Sequence, residues 1–313
     1  MPTDMTVPDH YQIKYADTFE SRLQQKVNRL APFVTVKPDA KGKVCFLDQI
    51  QPIDLDQKTS RHEKSQLTEP DTLRRAMVAK TFHKMIGFDE DDEFKLNSQS
   101  VPMPETAMQL MYGAQRAMEK VVIDGISGVN QVGNGANDLL TTETFPNANE
   151  IAVTEGSAGG GTNTNMPIDK VMAAIEKLMV DEAFGQANDD GLEMPCLALG
   201  PSQLVDLIRQ TKASSKDYQP GDNLALFTGR LEQILGCKIL LTNQLEVASN
   251  IRTCLAWVKP SVGFGLWKNY STHLWVDEET GGPRLRVHMA CGAARRDTKG
   301  VFKLFADETK KSA

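Results

Sequence analysis

The segment Thr154–Asn165, TEGSAGGGTNTN, is the first place to look for chemistry, because a glycine-rich loop lets backbone approach a phosphate closely. A phosphate-cradling P-loop follows its glycines with Gly-Lys-Ser/Thr, so that the lysine meets the phosphates. Here Gly161 is followed by Thr162 and Asn163, with no lysine. A dinucleotide fingerprint needs a strand before the glycines and a helix at once after them. Ile151–Thr154 can form the strand, but helical periodicity resumes only at Pro167. A flexible loop is the plainer reading, and a nucleotide-using enzyme built around Gly156–Gly161 is kept as an alternative.

The other reactive residue types are as scattered. His10, His62, His83, His273 and His288 never fall at metal-ligand spacing with one another. Asp89–Glu93 is a run of carboxylates without the alternating ligand spacing of a calcium loop, and so reads as a solvated acidic face. There is no Gly-x-Ser-x-Gly elbow. Cys45, Cys196, Cys237, Cys254 and Cys291 form no Cys-x-x-Cys pair, and are expected to be reduced core thiols in a cytoplasmic setting. No catalytic residue, cofactor or metal is therefore expected, and the chain is not expected to be an enzyme.

Composition narrows the classes further. The 313 residues suffice for one large domain or two modest ones. Hydrophobic residues are 40% and charged residues 24%, ordinary for a folded protein. The net charge of −6 argues against a general electrostatic grip on nucleic acid, though local patches stay open and the chain could enclose nucleic acid without gripping it. MPTDMTVPDH lacks the layout of a signal peptide, and no apolar run approaches the roughly 20 residues of a membrane span.

Periodicity predicts a helix over Tyr15–Leu30 on Phe19, Leu23, Val27 and Leu30, stopped by Pro32; Gln24, Gln25, Asn28 and Arg29 suit a segment laid over a partner. Phe33–Val36 and Lys43–Ile50 are strand candidates. Between Asp54 and Asp71 the large apolar residues are Leu55 and Leu67, among interleaved charges of both signs. This tongue is either a solvated loop or a hairpin that a partner holds, since ordered loops of that length are uncommon unless functional. Leu73–Phe88 returns to order. Pro104–Gly125 is a strong helix with Ala107, Leu110, Met111, Ala114, Met118, Val121 and Val122 on one stripe. Ser127–Gly135 reads as a break. Pro167–Phe184 and Pro201–Gln210 are helices, Lys212–Asn223 a loop and Phe227–Gly236 a helical turn. Ile151–Thr154, Cys196–Leu199, Lys238–Thr242, Leu255–Val258, Gly263–Leu266, Thr272–Val276, Leu285–His288 and Gly300–Phe305 are strands. The class is α+β without regular βαβ alternation.

The order of several short motifs resembles the major capsid proteins of tailed double-stranded DNA bacteriophages, in a branch found in many short-tailed phages. The Leu-Gln-Gln segment FESRLQQK at Phe19–Lys26 comes first. Arg61-His62 and Thr68-Glu69-Pro70 follow in the tongue and Arg74-Arg75 just after it, then Ala114–Met118 in the long helix. Gly229–Leu245 carries a Gly-x-Leu, Leu-Gly-Cys-x-Ile, Thr-x-x-Leu series, and Gly292–Val301 a Gly-Ala-x-Arg-x-x-x-x-Gly-Val element. Gln131–Asn165 departs most, and the resemblance leaves the fold of 131–165 open.

The resemblance implies the Hong Kong 97-type capsid fold. Its parts would be an N-terminal arm at 1–35, an extended E-loop at 36–88, a P-domain at 89–149 with a spine helix at 104–125, an A-domain at 150–275, and C-terminal strands at 276–313 returning to the P-domain. It implies a major capsid protein of the virion. That protein would self-assemble, in the host bacterial cytoplasm, into hexamers and pentamers of an icosahedral shell around double-stranded DNA. Scaffold, portal and decoration proteins would be its other partners. A decoration or scaffolding protein is the second alternative, disfavoured by size and mixed composition. Arg61, His62, Lys64, Arg74 and Arg75 are the expected intersubunit contacts, as rim charges that fix register across an interface.

Overall fold

The computed structural model describes residues 23–55, 57–58, 64, 67–89, 103–133, 140–157, 161–181, 183, 194–210, 231–277 and 281–310. In chain order the strands are β1 (Thr35–Lys37), β2 (Val44–Ile50), β3 (Thr72–Val78), β4 (Lys80–Gly87), β5 (Asn130–Gly133), β6 (Leu140–Glu143), β7 (Glu150–Ile151), β8 (Cys196–Leu199), β9 (Gln233–Ile234), β10 (Cys237–Leu241), β11 (Val247–Ala248), β12 (Ile251–Trp257), β13 (Val262–Val276), β14 (Pro283–Arg295) and β15 (Val301–Asp307). The helices are α1 (Met103–Ser127), α2 (Ile168–Val180) and α3 (Pro201–Arg209).

The described strands form three sheets. One runs β1-β13-β14-β4, one runs β2-β3-β5-β6, and the largest runs β7-β15-β12-β8-β10-β9 with β11 added beside β12. The periodicity of α1 buries Ala114, Met118, Val121, Val122, Ile123 and Ile126. These pack in one core with Phe264, Val287, Met289 and Cys291 of the long strands and with Leu255, Trp257, Phe302 and Leu304 of the large sheet. Gly125 permits the closest approach of helix to strand: a Cβ there would lie 2.6 Å from Ala293 Cβ and 2.8 Å from its carbonyl carbon.

α1 needs a stop, and Arg295 of β14 supplies a cation for its C-terminal carbonyls. Its guanidinium donates to Ile126 O at 2.8 Å and Gly128 O at 2.5 Å, where the helix dipole favours positive charge. Arg295 is fully buried over the Phe145 ring, and that burial pulls its pKa down to about 10. Leu235 and Gly236 both have positive φ, 49° and 80°, so the Leu-Gly-Cys motif forms a tight two-residue turn between β9 and β10.

Several expectations are corrected here. Residues 23–30 are not helical; only Asn28 and Leu30 of this stretch are buried, while Leu23 and Val27 are exposed. Residues 15–22 of that expected helix lie outside the described residues. The part of Phe227–Gly236 that is described is a strand and turn rather than a helical turn. The expected break at Ser127–Gly135 contains strand β5, which pairs with β3 and β6. Gly263–Leu266 and Thr272–Val276 are one 15-residue strand, and Leu285–His288 belongs to a 13-residue partner. The expected strand at Gly300–Phe305 is β15, which joins the large sheet between β7 and β12. The loop Lys212–Asn223 lies outside the described residues.

Candidate assembly interface

β2 and β3 form an antiparallel hairpin in register from Val44↔Val78 to Ile50↔Thr72, extended by a Gln51 N–Asp71 O bond of 2.9 Å. Its root has a small core of its own, in which Ala40, Cys45, Met77 and Ala294 pack with Leu47 and Trp267. Gly263 and Gly265 let that root close, since a Cβ at either would meet Leu47, Met77 or Trp267. Among the described residues the far end has no such cluster. Ile50, Ile53, Leu55 and Leu67 are 69%, 63%, 96% and 99% exposed. Past Val78 the chain leaves the hairpin, and β4 pairs with β14 instead, so the expected extended loop at 36–88 spans two sheets.

The two adjacent arginines have opposite fates, because neighbouring side chains on a strand point to opposite faces. Arg74 lies on the exposed face. It sits opposite Asp48, donating through Nε at 2.6 Å, and its guanidinium lies 5.1 Å from the Phe46 ring centre. The Asp48 hydrogen bond and charge raise its pKa. Arg75 is 2% exposed and points inward. It reaches Glu143 at 3.0 Å, Thr298 Oγ1 at 3.3 Å and Arg295 O at 3.5 Å. The expectation that Arg75 is a rim charge is therefore corrected: it ties the hairpin root to β6 and to the β14–β15 turn within its own subunit. Lys64 is exposed. Arg61 and His62 lie outside the described residues.

The second organising group is one that sequence reasoning missed. Residues 24–29 lie along α1, held by side chains rather than by a helix of their own. Arg116 donates to Gln24 Oε1 at 2.5 Å and to Gln25 O at 3.2 Å, and Gln24 also bonds Gln109. Glu119 is fully buried at the centre. Its carboxylate accepts from the Gln25 amide, from the Arg29 backbone N–H at 3.0 Å and from Thr242 Oγ1 at 2.5 Å. Arg29 adds a bond to Leu241 O at 2.6 Å. One carboxylate thus joins the arm, the long helix and the end of β10. The run of Gln and Asn was the only signal for it, and Glu119 itself looked like any helix glutamate.

The glycine-rich loop is pinned by Lys170 of α2. This ammonium is fully buried and donates to Val153 O, Thr164 O, Asn165 O and Phe305 O at 2.9, 3.0, 3.0 and 2.7 Å. Burial pushes its pKa down to about 8, and the four carbonyls take the contacts a phosphate would need. Gly156 and Gly161 have positive φ, 73° and 85°; residues 158–160 lie outside the described residues. The five cysteines are buried and form no disulfide, and burial raises Cys237 and Cys254 to about 12 and Cys291 to about 11, which makes these three weak nucleophiles. Among the described residues no group of three or more His, Cys, Asp or Glu is placed to hold a metal, and no helix is long and apolar enough to cross a membrane.

The comparisons with known proteins agree with this architecture. The family model described as phage capsid protein matches residues 7–308. No curated protein matches the sequence. Among solved structures, a chain from Mycobacterium phage Che8 aligns with a TM-score of 0.68 at 12% identity, covering 98% of this chain and 100% of that one. A chain of the cyanophage Pam1 capsid asymmetric unit gives 0.67 at 11%, covering 98% and 99%. One from the capsid of Ralstonia phage GP4 gives 0.66 at 12%, covering 98% of each. The α+β architecture is the Hong Kong 97-type capsid fold, and by a match over nearly its whole length the chain belongs to the phage capsid protein family.

Proposed function

We propose that this major capsid protein builds its shell by laying the β2–β3 hairpin over the neighbouring subunit. The observation that carries the reading is the exposure of Ile50, Ile53, Leu55 and Leu67 on a hairpin whose root is well packed. Exposed apolar residues in a row need cover, and a second copy of the chain provides it at every position of a closed shell. Arg74 and Lys64 then act at the rim, where charge sets register and discourages wrong pairings more than it adds affinity. Many such contacts repeated around a shell give large total stability through multivalency.

In this reading residues 1–35 are the arm, the hairpin within 36–88 is the extended loop, α1 is the spine of a peripheral domain, and the large sheet centres an axial domain within 150–275. The subunits form hexamers and pentamers in the host cytoplasm around double-stranded DNA, with scaffold, portal and decoration proteins as further partners. The subunit has no catalytic role. Electron microscopy of the expressed protein tests the reading, with Arg74→Glu as the probe. The variant should keep the parent Tm and lose most closed shells, whereas shells in normal yield would exclude the rim role.

A further inference from the structure

The outer face of the sheet formed by β4, β13 and β14 gathers cations in a chain whose net charge is −6. Strand register fixes the arrangement. Arg286 lies between His273 and Met85, and His288 lies between Ser271 and His83. Val287 and Met289, the alternate residues of β14, are buried in the core, so Arg286 and His288 face outward. Lys268 and Trp275 complete an open cleft of about 460 Å³ with His273, Arg286 and His288. None of the five residues lining it is acidic.

Three of the chain's five histidines, His83, His273 and His288, sit on this face. His288 Nδ1 is buried without a protein partner. Partial burial, then Lys268, Arg286, His83 and His273, hold the His288 pKa below the usual imidazole value. Asp277, just past the end of β13, pairs with Arg284 at 2.5 Å.

We propose that this face binds the phosphate backbone of double-stranded nucleic acid. Lys268 and Arg286 are the fixed cations of the cleft, set beside imidazole and indole side chains. Two cations in an open cleft without a lining carboxylate suit the phosphates of a nucleic-acid backbone. Trp275, 37% exposed, adds a flat apolar edge for the sugar. The inference deepens the reading of the protein as a subunit of a genome-enclosing shell and rests on it.

The test uses the full-length, unassembled subunit and a labelled mixed-sequence duplex of about 30 base pairs, followed by fluorescence anisotropy as salt is raised. The parent should bind, with affinity falling as salt rises. Lys268→Ala with Arg286→Ala should weaken binding at least about tenfold at low salt and reduce the log–log salt slope by about two. Both side chains are on the exposed face, so the melting temperature should not change.

Binding should also tighten as pH falls, because His288, held below the usual imidazole value, gains a proton and adds a positive charge to the face. Unchanged affinity in the double variant, or a parent that does not bind, would overturn the proposal. So would polyglutamate competing as well as DNA, which would mark a surface for acidic protein. Because the unassembled subunit is used, each of these failures is separate from failure to form shells.

Discussion

At the scale of single residues, the molecule separates charges that look alike in sequence. Arg74 and Arg75 are neighbours of one type, yet one is 43% exposed by its side chain and the other 3%. Strand alternation says that they face opposite ways; it does not say which way is inward, because that depends on β5, β6 and the β14–β15 turn. Arg75→Met should leave Glu143 facing a lost partner and cost about 3–5 kcal/mol in denaturant unfolding. Reversing both arginines at once would therefore report on folding and not on assembly. Glu119, Lys170 and Arg295 were invisible as sites for a related reason. A buried charge is defined by the carbonyls, amides and hydroxyls around it, which come from distant parts of the chain. Arg295 at least stood within the Gly-Ala-x-Arg motif, although its work at the end of α1 was not readable there.

At the scale of elements, legibility followed amphipathic periodicity. α1, α2, α3 and β8 were readable because their apolar spacing is strong and glycine or proline punctuates them. The helical spacing of Leu23 and Val27 suggests a helix, whereas the side chains of Gln24 and Gln25 between them bond to Gln109 and Glu119 of α1. β13 was split because Lys268 and Asn269 interrupt its apolar pattern. Its pairing with β14 shifts register between Leu266, Lys268 and Ser271, so the strand survives through irregularities that sequence reads as ends. The contact of α1 with β14 yields a sharp expectation. Gly125→Ala adds a favoured helix residue but drives its Cβ against Ala293 backbone. The clash should win, lowering stability by about 1–3 kcal/mol in thermal or denaturant unfolding.

At the scale of the whole molecule, the subunit is well packed at its centre and incomplete at one projection. A core of α1, the long strands and the large sheet holds the root of the β2–β3 hairpin, and the hairpin's far end carries its apolar residues into solvent. The family and fold explain why a chain without a catalytic motif keeps such a feature. The charge interleaving of residues 54–71 hinted at a partner, and the exposed Leu55 and Leu67 give that hint a surface. Amide hydrogen exchange on residues 51–55 and 67–71, compared between free subunits and purified shells, tests whether a neighbour covers this hairpin. Exchange there should slow by more than about tenfold on assembly while the core amides of α1 change little; equal rates in subunit and shell would contradict the account.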